Sequence, residues 1–262
     1  MTGSLAFATD LALLAAQGAT IEREEHRTVV RSPENPAFRW GNFLLVPTAG
    51  SPEQRVAEHE AAFPDAGFVT VGVDAAHPVL DEGAWLSAGF EVERLAVLVA
   101  DRTVAAGPAT VRPLASDADW AAETAIAQAE DGDDEDQASF SALRTVAKRR
   151  MADAGRAVWL GAEVDGEVVA TAGVADAGLG TARFQDVQTL PAFRRRGLAG
   201  ALVAAGIRTA AQRFGSARFV LVAERQGPAI GLYRRLGFRE VETQLQLTRL
   251  DAPPGLEAGG RG

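Results

Sequence analysis

The clearest alternation of apolar and polar positions lies in the second half of the chain. Thr110 to Leu114 reads as a short strand. A helix follows as far as Glu130, with Ser116 or Asp117 as its N-cap and Trp120 on its apolar face. Gln137 to Ala154 forms a second helix, closed by Gly155. Ala157 to Val164 and Glu167 to Val174 are β-rich runs separated by Asp165-Gly166, a dipeptide that favours a type I′ hairpin turn. Ala182 to Leu190 extends this meander. The pattern then predicts a helix from Leu198 to Phe214, a strand Arg218 to Ala223, a short helix Pro228 to Leu236 with its proline in the first turn, and a last strand near Val241 to Thr248. The order β-α-α-β-β-β-α-β-α-β gives an α/β domain with a mixed sheet.

The first half carries a fainter copy of the same pattern. When Trp85 is aligned with Tyr233, Gly89-Phe90 falls on Gly237-Phe238 without a gap, and Val71 to Asp74 falls on Phe219 to Val222. Arg31 to Pro47 reads as a turn followed by a buried strand. A duplicated fold is expected, divided near Thr103 to Ala109, where Ala-Ala-Gly-Pro makes a linker. The expected units are 1–105 and 110–250, with a disordered tail over 251–262.

Composition narrows the chemistry. The 262 residues are 47% hydrophobic, enough for a packed core, and contain no cysteine. That excludes disulfides, thiolate metal sites and an acyl-cysteine intermediate. The three histidines, His26, His59 and His77, lie in the first third without metal-ligand spacing and read as surface or capping residues. No metal is expected. A net charge of −9 argues against a nucleic-acid partner. No apolar run reaches the length of a membrane span, and the run Leu11 to Ala16 lacks the flanks of a signal peptide, so a cytoplasmic protein without a membrane partner is expected.

The segment that carries chemistry is Thr189 to Gly200. A strand enters a turn rich in Arg and Gly, and a helix follows at once. The first amides of a helix lack internal partners and lie at the positive end of its dipole, so such a turn attracts a pyrophosphate. Arg194-x-x-Gly197-x-Ala199 resembles the Q/R-x-x-G-x-G/A signature of the GNAT (GCN5-related N-acetyltransferase) family. Ala229-x-x-Leu232-Tyr233-x-x-Leu236-Gly237-Phe238, about thirty residues later, is similar to the A-x-x-L-Y-x-x-x-G-F ending of that family. The resemblance covers about Thr110 to Leu250 and implies a tandem GNAT fold, with a mostly antiparallel sheet whose fourth and fifth strands splay apart. It further implies that acetyl-CoA lies in that splay. Val187, Gln188 and Thr189 would then meet the pantetheine arm, and the amides of Arg195, Arg196, Gly197, Leu198, Ala199 and Gly200 the pyrophosphate, with Arg194 among the cofactor-binding residues. Gln226, where many members have Asn, and Ala229 complete the expected cofactor contacts. After Pro47 in the first half the chain reads Thr-Ala-Gly-Ser-Pro-Glu-Gln-Arg, without a basic Gly-rich turn, so that half is expected to be degenerate.

The expected reaction moves an acetyl group to the amine of a small molecule, or to a peptide amine, by direct attack in a ternary complex, in a monomer or a homodimer. A primary amine with pKa ~10.4 must lose a proton before it attacks. With no His or Cys in this half, the base is a carboxylate or a water chain. Asp186 is the first candidate and Glu224 the second. Tyr233 is the candidate donor of a proton to the departing thiolate. Glu130 to Asp136, an acidic run, reads as a solvated loop. The competing function is a non-catalytic acyl-CoA-binding or sensing module on the same scaffold.

Overall fold

The computed structural model describes residues 3–101, 109–131 and 135–250. The tail 251–262, all of the expected linker but Ala109, and the centre of the acidic run lie outside the described residues. Among the described residues, eleven strands form one sheet, flanked by helices on both faces. The first half contributes helix α1 (Leu5–Ala16), strands β1 (Thr20–Arg23), β2 (Thr28–Arg31) and β3 (Phe43–Val46), helix α2 (Pro52–Ala62), strand β4 (Phe68–Val73), helix α3 (Glu82–Ser87) and strand β5 (Glu91–Ala100). The second half contributes β6 (Thr110–Pro113), α4 (Asp117–Asp131), α5 (Glu135–Asp153), β7 (Ala157–Val164), β8 (Glu167–Asp176), β9 (Thr181–Thr189), α6 (Leu198–Phe214), β10 (Arg218–Glu224), α7 (Ile230–Arg235) and β11 (Arg239–Leu250).

Local chemistry accounts for the element ends. Asp165 and Gly166 both take positive φ, 53° and 85°, as a type I′ turn requires. Ser116 caps α4: its hydroxyl accepts from the Asp119 amide at 3.1 Å while the Asp119 carboxylate accepts from the Ser116 amide at 2.9 Å, a reciprocal pair that satisfies two orphan donors. Pro228, expected in the first turn of α7, instead precedes that helix by two residues.

The sheet runs β1-β2-β3-β4-β11-β5-β10-β9-β8-β7-β6. The last strand of each half has crossed into the other half's sheet. β5 pairs with β10, Ala100 opposite Phe219 and Leu95 opposite Glu224, while β11 pairs with β4, Leu245 opposite Val73 and Leu250 opposite Phe68. β5 and β11 then pair antiparallel with each other at the centre, from Arg239 opposite Val99 to Thr248 opposite Glu91. The sequence repeat is visible as geometry: β3 and β4 run parallel, as do β9 and β10, and the aromatic at the repeat position is buried in both halves, Trp85 at 1% exposure and Tyr233 at 4%.

Apolar residues sort by strand alternation. One sheet face packs Leu98, Leu160, Val174, Phe184 and Leu221 against α6 and α7, and, in the first half, Leu44, Val71 and Leu247 against α3's Trp85. The other face carries α1, α4 and α5; Phe7, Leu11 and Leu14 of α1 pack on Val30, Phe43 and Leu45. The Leu11 to Ala16 run is therefore part of a core helix. His59, expected at the surface, is instead buried at 1% exposure, its ring 4.6 Å from that of Phe63 and 5.9 Å from that of Phe68. Gly206 of α6 has no room for a methyl group, since a Cβ there would lie 2.5 Å from the Phe184 ring. That close approach seats α6 directly on β9.

Candidate active site

The site begins where β9 and β10 part. They pair in parallel only from Arg218 opposite Thr181 to Val220 opposite Arg183. Beyond that, β9 continues to Thr189, bonded on one side to β8 and open on the other. An open strand edge offers a row of backbone donors and acceptors to any extended polyamide that enters the gap. Val187, Gln188 and Thr189 lie on this stretch, and the carboxamide oxygen of Gln188 is buried without a partner among the described residues. The register against β8 slips between Thr171 and Gly173, because Asp186 and Val187 form a bulge, with Asp186 at a φ of 45°.

The open edge leads to the N-terminus of α6. Pro191–Phe193 makes a single 3-10 turn, Arg195 turns left-handed at φ 65°, and Gly197 does so at φ 82° as the N-cap. Left-handed residues in such a turn converge successive N–H groups on one point. No side chain caps α6, so its first amides remain available. Arg194 braces the turn by donating from Nε to the Thr189 carbonyl at 3.1 Å, and the Arg196 guanidinium stacks 5.0 Å from the Phe193 ring centre. Arg195, Arg196 and Gly197 are exposed, whereas Leu198 is buried beneath them and Ala199 and Gly200 are half-buried. A Cβ on Gly197 would meet nothing within 4 Å, so glycine serves its backbone angle there.

The corresponding place in the first half is closed in three ways. β3 pairs with β4 along Leu44–Val46, leaving no gap. Ser51 caps α2, its hydroxyl accepting from the Gln54 amide at 3.3 Å. Arg55 fills the turn from within, donating to the carbonyls of Thr48 at 2.9 Å and Ala49 at 2.8 Å. The sequence shows the missing basic turn, but that an arginine one turn into the helix plugs it is a tertiary fact.

α7 lies over the start of α6: a Cβ on Gly200 would touch Leu232 at 3.6 Å. Tyr233, the next residue, is buried, its ring 6.2 Å from that of Phe238. Its hydroxyl makes no hydrogen bond among the described residues, yet it is not one of the buried polar atoms left without a partner, so the oxygen reaches an open surface. Burial pushes the phenol up to about 12. Ala229 caps α7, and Gln226 is exposed in the turn before it.

On the opposite face of the sheet, the same gap opens into a cleft of about 360 Å³. Asp10 of α1, Leu95 of β5, Arg183 and Asp186 of β9, Val222 of β10 and Gln246 of β11 are among its walls, so both halves build it. Arg183 is nearly fully buried and pairs with Asp10 at 3.1 Å. Asp10 also accepts from Gln244 at 2.5 Å. Arg144 of α5 stacks 5.0 Å from Phe38, tying this wall to the first half.

Asp186 is not placed as a base. Lys148 lies 2.8 Å from its carboxylate and Arg144 3.1 Å, and Lys148 is shared with the fully buried Glu123 at 2.6 Å. Desolvation opposes the charge, but the two cations outweigh it and hold the carboxyl well below the usual carboxylate range. A group held that firmly ionised is a poor proton acceptor. Breaking such a buried pair costs about 3–5 kcal/mol, the scale of a structural pin. Glu224, the second carboxylate, ends β10 and is exposed, two residues beyond the cleft wall Val222.

Residues 118–238 match the model of the acetyltransferase (GNAT) family. A GCN5-related N-acetyltransferase from Kribbella flavida superposes with a TM-score of 0.65 over 97% of this chain and 98% of its own, at 18% identity. A conserved protein of unknown function from Staphylococcus epidermidis gives a TM-score of 0.69 over 88% and 93% of the two chains, at 12% identity. A tandem GNAT protein from the clavulanic acid biosynthesis pathway gives 0.53 over 92% and 88%, at 15% identity. These likenesses show the fold. No match is found among curated proteins. Among the described residues no helix is long and apolar enough to cross a membrane.

Proposed function

We propose that the protein transfers the acetyl group of acetyl-CoA to the amine of a small molecule, by direct attack within a ternary complex. One observation carries this reading. The edge of β9 is unpaired beyond the Val220–Arg183 pair as far as Thr189, the uncapped start of α6 follows within ten residues, and a polar cleft lined by Gln185, Asp186 and Val222 lies where β9 and β10 part. When bound, acetyl-CoA supplies an activated thioester carbonyl with a thiolate leaving group. The chain holds the pyrophosphate through the amides of Arg195 to Gly200 and the charges of Arg195 and Arg196. β9 aligns the pantetheine arm from Val187 to Thr189, and α6 and α7 lie beside it. Tyr233 donates its phenolic proton there. The acceptor enters through the cleft on the other face, so the two substrates meet across the sheet.

Release of free thiol from acetyl-CoA in the presence of benzylamine, tyramine, histamine and spermidine tests the reading. Thiol and N-acetyl amine formed in equal amounts are expected with at least one amine. One acetyl-CoA bound per chain, with no turnover across such a panel, would make the protein a binding or sensing module instead.

The stoichiometry has its own expectation, because among the described residues only β9 leads from an open strand edge directly into an uncapped helix start. Calorimetry should find one CoA per chain. Gly197→Asp should raise the Kd at least ~100-fold by setting a carboxylate against the pyrophosphate. Gly197→Ala carries the backbone strain without the charge, about 1 kcal/mol, and should cost tenfold or less. Two sites per chain, or equal effects of the two variants, would contradict the assignment.

A further inference from the structure

The rim of the cleft carries two acids that come from opposite halves of the chain. Glu224 ends β10 directly opposite Leu95 of β5. Glu93 is two residues from Leu95 and so projects from the same face of the sheet, opposite Gln246 of β11. Leu95, Val222 and Gln246 are cleft walls, which puts both carboxylates at the end of the cleft where β10 has parted from β9.

The charged neighbours of Glu93 are known on each packed element. Glu91 shares its strand, Glu224 stands on β10, and β11 presents the neutral Gln244 and Gln246. Glu242, further along β11, is engaged by the Leu5 amide at 2.8 Å and the Ser4 hydroxyl at 3.2 Å. Asp10 of α1 is bound by Arg183 and Gln244, and Asp186 of β9 by Lys148 and Arg144. The cations that face the cleft are therefore committed to other acids. Glu93 has no ion pair or hydrogen bond among the described residues, and it is exposed at the rim, where it can exchange protons with water.

We infer that Glu93, a residue of the first half, accepts the proton of the attacking amine in the second half's site, and that Glu224 tunes it. The inference rests on the acetyl-transfer reading. Partial desolvation, and then repulsion from Glu224 and Glu91, raise the Glu93 carboxyl above its ordinary value. That is the direction a base needs in order to hold a proton taken from an ammonium group. In the step, an N–H bond of the acceptor breaks and an O–H bond forms on Glu93. The freed lone pair makes the C–N bond to the acetyl carbon as the C–S bond breaks. Sulfur keeps that electron pair and takes the proton of Tyr233. The second surplus proton on nitrogen returns through water to Tyr233, and Glu93 releases its own to solvent.

A base works unprotonated, so turnover falls as pH drops through its pKa, and a raised pKa moves that fall upward. Removing Glu224 removes a like charge and lowers the pKa of Glu93. Two measurements test this. Carbon-13 titration of the glutamate carboxyls in the full-length protein without ligand should place the Glu93 midpoint above the ~4.3 of a model glutamate, and Glu224→Gln should lower it. In turnover of the panel amines, Glu93→Gln should cut kcat/KM ~10²-fold and abolish the acidic limb, with the Kd for CoA within about twofold and partial recovery in Glu93→Asp. Glu224→Gln should shift the limb to lower pH. Full kcat with an intact limb in Glu93→Gln, or a midpoint indifferent to Glu224, overturns the assignment while acetyl transfer stands. A wild-type protein that turns over none of the amines overturns both.

Discussion

A fragment beginning at residue 106 is expected to be insoluble or inactive. The sequence repeat suggests two units that share an apolar interface, but the sheet ties them more tightly. Cutting at 106 removes β5 from between β10 and β11, and removes β4 from the other side of β11. β11 then has no neighbour at all, and Leu245 and Leu247, both fully buried in the intact chain, lose their packing. Ala96, Val97, Leu98, Val99 and Ala100, all at 4% exposure or less, leave the core with β5. Each large aliphatic side chain uncovered costs about 1.5–3 kcal/mol. Several together exceed the ~5–15 kcal/mol by which a protein is usually stable. The bared edge of β10 invites aggregation. The fragment should elute as an aggregate or lose native-like spectra, and co-expression with residues 1–105 should recover soluble protein. A soluble, monodisperse fragment with full turnover would contradict the exchange of strands.

Tyr233→Phe is expected to lower kcat by ~10²-fold or more, the scale of a lost general acid. The ring packs against Phe238 and the hydroxyl bonds to nothing among the described residues, so the melting temperature and the Kd for acetyl-CoA should barely move. Tyr233 is the only tyrosine in the chain, so no neighbouring phenol can replace it. Its pKa, pushed up to about 12 by burial, keeps it protonated throughout the physiological range. That burial weakens it as an acid, and a free thiol has a pKa of only ~8.5. A sulfur delivered beside the same apolar packing is pushed upward as well, which narrows the gap between donor and acceptor. Stopped-flow turnover under conditions where chemistry limits the rate, compared with calorimetry, separates the two effects. Wild-type kcat in the variant would mean that water or another group protonates the sulfur.

Much of the second half was legible because its signals are local. Leu198–Phe214 and Ala157–Val164 match their helix and strand to the residue, since the Gly197 and Asp165-Gly166 punctuation sits beside them. The Arg-Gly turn was legible for the same reason. What escaped the sequence is set by partners distant in the chain. β5 and β11 carry similar apolar alternation, and nothing in that alternation says which neighbour each will choose. Asp186 reads as a lone acid on a strand. Its surroundings are set by Lys148 and Arg144, about forty residues earlier on a helix packed across that face. His59 looks polar in a charged segment, yet the period of α2 turns it inward against Phe63 and Phe68. Glu93 sits in an acid-rich strand of the half without the cofactor motif, and only the crossing of β5 brings it to the cleft.

The crystal structure of the acetyl-CoA complex tests the central claim most directly. The account expects one cofactor per chain, its pyrophosphate against the amides of Arg195 to Gly200 and its pantetheine bonded to the free edge of β9 over Val187 to Thr189. The sulfur should lie within hydrogen-bond reach of the Tyr233 hydroxyl, with the acetyl group directed into the cleft bounded by Leu95 and Gln246. A cofactor seated elsewhere, at the β3–α2 turn for example, or one whose thioester faces away from Tyr233 and the cleft, would contradict it.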